Sequence, residues 1–257
     1  MKNTFIHKQA VIGVNVNIGN CVTIEDDVII GKNCQIGNNV SILRGTRIGQ
    51  NCQIHSNAVL GGIPQDLKYK GEYTFLEIGH NNIIREFVTI NKGTISKGTT
   101  SIGNSNLIMS NAHIGHDCVI GSNCIIGFSV GMAGEVTVED WSNISGLTAI
   151  HQFSSIGENT MISGLSRVVK DIPPYIMVAH EPLRFAGLNT VGLKRREFDS
   201  CKIDELKAIY KIIFQEKRNT KFALELVKRE FKQTLERDKI INFIHNSKRG
   251  ILKGVEF

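Results

Sequence analysis

The chain contains no run of about 18 apolar residues, the length a membrane-crossing helix needs. Its N-terminus lacks the charged and apolar regions of a secretory signal, so a cytoplasmic protein is expected. No basic run is interleaved with aromatics, and nucleic acid is not an expected partner. Cysteine is sparse, and four of the six (Cys34, Cys52, Cys118, Cys124) fall in one slot of a repeat. They read as packed small hydrophobes, not as a disulfide set or a zinc site.

What the chain has instead is a period of six. From Ile6 to Val168 there are 28 multiples of six, and 25 of them hold Ile, Leu, Val or Met. The exceptions are Asp66, Glu72 and Ser96. A helix repeats every 3.6 residues and a strand every two, so neither accounts for this period. A β-solenoid does: three hexapeptides make one triangular coil, and the large aliphatic residue fills its interior. A small residue recurs four places after the aliphatic one, at Ala10, Val16, Val22, Val28 and Cys34 among others. Gly13, Gly19, Gly31, Gly37 and Gly49 directly follow it, where a tight corner is expected to use glycine's freedom in φ.

The repeat predicts a prism over residues 1–175 with two loop excursions, 61–76 and 92–101, each returning in register. Insertions on a solenoid commonly build the binding face. The pair Pro173–Pro174 is expected to close the prism, because proline cannot donate to a ladder. Residues 176–257 read as a linker and a helical domain that begins near 190. Ile203, Leu206, Tyr210, Ile213 and Phe214 have helical spacing, with Ser200 as a plausible N-cap. Leu224, Val227, Phe231 and Leu235 suggest a second helix, and Ile240, Ile241 and Ile244 a third.

Charge divides along the same line. Residues 1–173 carry 12 basic and 13 acidic side chains, whereas 174–257 carry 18 and 11. A solvated basic helix surface explains part of the excess. An acidic protein partner or a phosphorylated small substrate would also be served by it.

Reactive groups concentrate at one corner, where His113, His116 and Asp117 lie together while Ile114 and Cys118 still serve the core. A neutral histidine beside a carboxylate can take a proton from a hydroxyl. Spacing alone leaves open a solvated corner with incidental polar residues. One coil later, Gly134 stacks over His116 and Glu135 over Asp117. A glycine there permits close approach of a substrate and offers a backbone N–H to an oxyanion. His151-Gln152-Phe153 marks the following coil, where a structural histidine is equally consistent. His113, His116 and His151 have the composition of a three-histidine zinc site, but no metal is expected, because prism-shaped zinc enzymes do not usually carry this long insertion and basic helical tail.

With these residues assembled, the chain resembles the UDP-N-acetylglucosamine 3-O-acyltransferases along nearly its whole length. The resemblance rests on Pro-Gln-Asp-Leu-Lys-Tyr (64–69), Ile-Arg-Glu-Phe-Val-Thr-Ile (84–90), His-Ile-Gly-His-Asp-Cys (113–118), His-Gln-Phe (151–153), Gly-Leu-Lys-Arg-Arg (192–196) and Ser-Lys-Arg-Gly-Ile (247–251). It implies a left-handed parallel β-helix with a C-terminal α-helical domain, assembled as a homotrimer with active sites between subunits. It also implies transfer of a 3-hydroxyacyl chain from acyl carrier protein to UDP-N-acetylglucosamine, the first step of lipid A biosynthesis. No cofactor is implied beyond the donor's phosphopantetheine thioester. By the same resemblance His116 is the general base, Asp117 orients it, and the Gly134 N–H meets the oxyanion. Asp66, Lys68 and His113 hold the sugar and pyrophosphate region, with Glu135 and His151 also facing substrate. Gln152, Asn189, Arg195 and Arg196 meet the UDP moiety, and Gly164 sets acyl length. The basic tail faces the acidic carrier protein.

Three positions depart from the family pattern. Many members carry histidine at Asn91 and at Glu135, and an acidic residue at Val191. The first two leave open an acceptor with a 3-amino group, which would give an amide product. An acetyl-CoA-dependent sugar acetyltransferase is a related alternative. A pure assembly scaffold is a third, though it gives no reason for His116 and Asp117 beside two loops.

Overall fold

The computed structural model describes residues 3–214 and 219–254. Among them, short strands form three sheets of nine, eight and ten strands, parallel except at the last strand of the third, and in the regular coils each strand pairs with the one three places on in sequence. The result is a left-handed parallel β-helix of triangular section. Ile6 pairs with Ile24, Ile24 with Ile42 and Ile42 with Leu60, so the aliphatic residues of successive coils stack on one another. Ile24, Ile42, Leu60, Ile84, Ile108 and Ile114 are all fully buried, each contributing about 1.5–3 kcal/mol of apolar burial. The small slot is filled by Val22, Val28, Cys34, Val40 and Cys52, also fully buried, and all six cysteines are free thiols.

The corner glycines have a different cause from the one expected. Gly13, Gly19, Gly31, Gly37 and Gly49 are absent from the residues with positive φ. They are required because the next coil lies against them: a Cβ on Gly31 would sit 2.5 Å from the Gly49 carbonyl oxygen. The left-handed turn residue stands two places later, at Asn15, Asn33, Asn39, Asn51 and Asn57, with φ between 57° and 65°. Asparagine tolerates this conformation through its short polar side chain. Here it also forms a ladder, with amide-to-amide bonds of 3.3, 3.1 and 3.1 Å running Asn15–Asn33–Asn51–Asn81.

Both excursions return in register because each inserts a multiple of six. Stacked residues are 18 apart in regular coils, 30 apart across the first excursion and 24 apart across the second. The first, 61–76, is fastened to the prism by the Tyr73 hydroxyl, which donates to Asp27 Oδ2 at 2.6 Å.

Pro173 and Pro174 do not close the prism. Ile172 still bridges Ile156, and the strand Ile176–Ala179 pairs parallel with Met161–Ile162. The ladder ends one strand later, when Arg184–Leu188 folds back antiparallel. A short helix α1 (Thr190–Arg195) follows, capped by the Asn189 side chain. Helix α2 (Ser200–Phe214) docks through Tyr210, whose hydroxyl donates to the Pro174 carbonyl, and through a Phe185–Phe214 stack with centroids 4.5 Å apart. Its cap is Asp199 rather than Ser200, since Asp199 Oδ1 accepts from Lys202 N at 2.7 Å. Helix α3 (Thr220–Glu230) ends at Phe231. Leu235, expected in the same helix, instead opens α4 (Leu235–Asn246) and is exposed. No described helix is long and apolar enough to cross a membrane.

Candidate active site

The corner after strand His113–Ile114 carries the reactive pair. Asp117 occupies the left-handed turn position, φ 59°. Its carboxylate is fully buried, and Oδ2 lies 2.7 Å from His116 Nδ1. Asp117 Oδ2 also accepts from the Thr94 hydroxyl at 2.6 Å, so it acts as an acceptor towards both neighbours. The imidazole therefore carries its proton on Nδ1 and leaves Nε2 free as a base. Nε2 faces Gly134 on the next coil, where a Cβ would come within 2.4 Å of it. Among the described residues the Gly134 N–H has no acceptor, while the neighbouring Ala133 and Glu135 amides are spent on Ile150 and His116 carbonyls.

These groups open onto a cavity of about 640 Å³ lined by His113, Gly134, His151 and Gln152, with Gln65, Asn91 and Arg167. Parallel stacking assembles it: His113, Gly131, Ala149 and Arg167 are successive partners on one face. His113 Nδ1 is 2.8 Å from the Thr89 hydroxyl, and burial lowers its pKa. The neutral imidazole is then favoured. His151 Nδ1 lies 3.0 Å from the Gln152 carbonyl. Among the described residues no group of three or more His, Cys, Asp or Glu is placed to hold a metal ion.

Other expected site residues lie elsewhere on this chain. Asp66 turns into its own loop, accepting from Lys68 N at 2.9 Å, so neither lines the cavity. Glu135 turns towards the second excursion, where Ser96 Oγ donates to it at 3.1 Å. Asn189, Val191, Arg195 and Arg196 line a separate cavity of about 370 Å³ on the third face, beside Trp141 and Met161. The Arg196 guanidinium sits 5.0 Å from the Trp141 ring centroid, and its Nε and Nη1 are buried without an acceptor among the described residues. Gly164 stacks on Gly146 at an exposed corner. Gln65 and Arg167 were not singled out in the sequence, and Asn91 entered only as a departure. Arg167 was findable, because it stands one coil beyond Ala149.

Comparison with known proteins identifies the family. Residues 171–252 match the family description "UDP N-acetylglucosamine O-acyltransferase, domain 2", and residues 27–62 and 99–134 match the bacterial transferase hexapeptide. The acyl-[acyl-carrier-protein]–UDP-N-acetylglucosamine O-acyltransferase of Nautilia profundicola is 44% identical over 200 residues, covering 76% of this chain and 75% of that protein. The one from Thiobacillus denitrificans is 40% identical over 195 residues, covering 76% of each. Among solved structures, a UDP-N-acetylglucosamine acyltransferase from Bacteroides fragilis superposes with a TM-score of 0.97 at 46% identity, covering 98% of this chain and 99% of that one. Its counterpart from Acinetobacter baumannii gives 0.94 at 37% identity, covering 98% and 99%. The chain belongs to the family of acyl-[acyl-carrier-protein]–UDP-N-acetylglucosamine O-acyltransferases.

Proposed function

We propose that this chain transfers a 3-hydroxyacyl group from the phosphopantetheine thioester of acyl carrier protein to the 3-hydroxyl of UDP-N-acetylglucosamine, opening lipid A biosynthesis in the cytoplasm. The observation that carries the mechanism is the stack of His116 Nε2 on Gly134, with Asp117 holding Nδ1 at 2.7 Å. Nε2 removes the proton of the acceptor hydroxyl. The alkoxide oxygen attacks the thioester carbonyl carbon, and the resulting oxyanion receives the unspent Gly134 N–H. Collapse breaks the carbon–sulfur bond, and the departing thiolate takes the proton from His116. None of these steps requires a metal or a further cofactor.

Two cavities on different faces of one chain make sense if a second copy joins them. The first holds the sugar-side set, His113 and His116 with Gln65, and the other holds Asn189, Arg195 and Arg196. A threefold assembly that sets one face against its neighbour's would put both around one substrate, with Asp66 and Lys68 reaching the sugar from their loop. In this reading His151 and Gln152 continue the groove, Glu135 shapes its wall, and Gly164 leaves it open for a long acyl chain. The prism supplies the chemistry, and the segment beyond it supplies the nucleotide contacts and a basic surface for the acidic carrier.

A 3-amino acceptor is the second reading, and Asn91 motivates it. The Nδ2 group donates to the Ile63 carbonyl at 2.8 Å, which leaves Oδ1 buried without a donor at the cavity wall. That oxygen accepts from an amine as well as from a hydroxyl. The deciding experiment offers 3-hydroxyacyl carrier proteins of several lengths to the purified protein, with UDP-N-acetylglucosamine and its 3-amino analogue in parallel. Faster turnover of the hydroxyl sugar, abolished in His116→Ala with the fold intact, supports the first reading. Preference for the amine reassigns the acceptor, and activity with acetyl-CoA alone rejects both.

A further inference from the structure

The acid of the dyad is held by the second excursion, not by the prism that carries it. Asp117 Oδ1 accepts from Thr94 N at 2.9 Å and from Lys97 N at 3.3 Å. Asp117 Oδ2 accepts from the Thr94 hydroxyl at 2.6 Å and lies 2.7 Å from His116 Nδ1. The hydroxyl's direction is itself fixed, because Ser96 N donates to Thr94 Oγ1 at 3.2 Å and leaves its proton to Asp117. Two further bonds clamp the loop to this corner: Asp117 N donates to Thr100 Oγ1 at 2.8 Å, and Lys97 Nζ to the Asp117 carbonyl at 2.9 Å. Thr94 is buried and does not line the cavity, so it does not touch substrate.

A buried carboxylate needs donors on both oxygens to stay charged. It must also keep one oxygen aimed at the imidazole if the base is to present Nε2. Thr94 does both with one residue, spending its amide on Oδ1 and its hydroxyl on Oδ2. We propose that Thr94 is a positioning residue for the acyl transfer. It fixes the rotation of the Asp117 carboxylate so that Oδ2 takes the Nδ1 proton of His116. This gives the second excursion a role: its six extra residues bring a polar clamp over the corner of the following coil. The role rests on the acyl-transfer reading for its kinetic consequence, though not for its geometry.

The test compares Thr94→Val, which keeps the shape and loses the donor, with Thr94→Ser, which keeps the donor. For Thr94→Val we expect kcat to fall about ten- to a hundredfold with KM for the sugar nucleotide within about twofold, the pattern of a group that acts on the chemical step. Thr94→Ser should recover most of the rate. Adding Thr94→Val to Asp117→Asn should change turnover by no more than about twofold, because residues acting through one another are not additive. Wild-type kcat in Thr94→Val, equal defects in the serine and valine variants, or multiplicative losses in the double variant would each overturn the proposal. A readout independent of turnover is the low-field proton resonance of His116 Nδ1–H, assigned by its absence in His116→Ala. Removing a competing donor from Oδ2 should move it in Thr94→Val and leave it in place in Thr94→Ser. An unmoved resonance refutes the positioning role even if the wild type transferred no acyl group, which would instead refute the acyl-transfer reading.

Discussion

A β-carbon on Gly134 would lie 2.4 Å from Nε2 of His116 and 2.5 Å from its Cε1. The two residues sit one coil apart, so the prism itself sets the distance between the His116 imidazole and the Gly134 backbone. Gly134 is not in a left-handed conformation, and alanine is therefore tolerated by the backbone. The whole cost of Gly134→Ala falls on the imidazole, which must swing off its bond to Asp117. We expect kcat to fall by about a hundredfold or more, the range for losing an aligned base or oxyanion donor. The melting temperature should stay near that of the wild type. Single-turnover acyl transfer beside a thermal melt checks this, and an active alanine variant would show that Nε2 does not work from this place.

Arg196 carries the second prediction. Burial lowers its pKa from the ordinary value, and Nη2 donates to the Trp141 carbonyl at 3.1 Å. Nε and Nη1 have no acceptor among the described residues. A guanidinium with unspent donors in more than one direction suits an anionic ligand, and a lysine's point charge does not reproduce that geometry. Arg196→Lys should raise KM for the UDP-sugar about tenfold or more, as expected for losing a charge-assisted bond of ~1.5–3 kcal/mol. Titration calorimetry with UDP alone locates the loss: unchanged affinity for UDP would exclude a nucleotide contact.

Much of this was legible in the residues because a solenoid converts sequence spacing directly into spatial neighbours. Once the coil is 18 residues, Gly134 must stack on His116, and Gln152 on Gly134. The corner conformation was not legible. The glycine after each aliphatic residue and the asparagine two places later are both turn formers, and only the coordinates show that the first is there for close approach and the second for φ. The reach of the second excursion was also hidden, since Thr94 contacts Asp117 across 23 residues with no periodic signal. Asp66, Lys68, Asn189, Arg195 and Arg196 stand apart from His116 on one chain, and no spacing in the repeat relates them to it.

The corrected reason for the corner glycines is itself testable. A Cβ on Gly31 would lie 2.5 Å from Gly49 O and 2.8 Å from Gln50 N, both backbone atoms that cannot rotate away. Gly31→Ala should therefore destabilise by about 1–3 kcal/mol, as overpacking does, despite alanine's preference for negative φ. If conformational freedom were the cause, alanine would be close to neutral there. Urea unfolding of Gly31→Ala against the wild type separates the two.

The clasp on the first excursion predicts a pH response. Burial of Asp27 opposes its charge, but the Tyr73 hydroxyl and Arg47 outweigh that, with Arg44 adding to them, and the carboxyl is held below its ordinary value. A carboxyl depressed in the folded state stabilises the fold at pH above its unfolded value and loses that contribution as pH falls through the folded one. Acidification below the ordinary carboxylate range should therefore release Tyr73, together with the loop that carries Asp66 and Lys68, before the prism unfolds. Arg47 Nη2, 2.5 Å from Asp27 Oδ1, loses its charged partner in the same step. Proteolysis within 61–76 should accelerate over this window in the wild type. Asp27→Asn should be cut at the faster rate at neutral pH and show no further acid step. The same rate in both proteins across the whole range would mean that the loop is held by something other than Asp27.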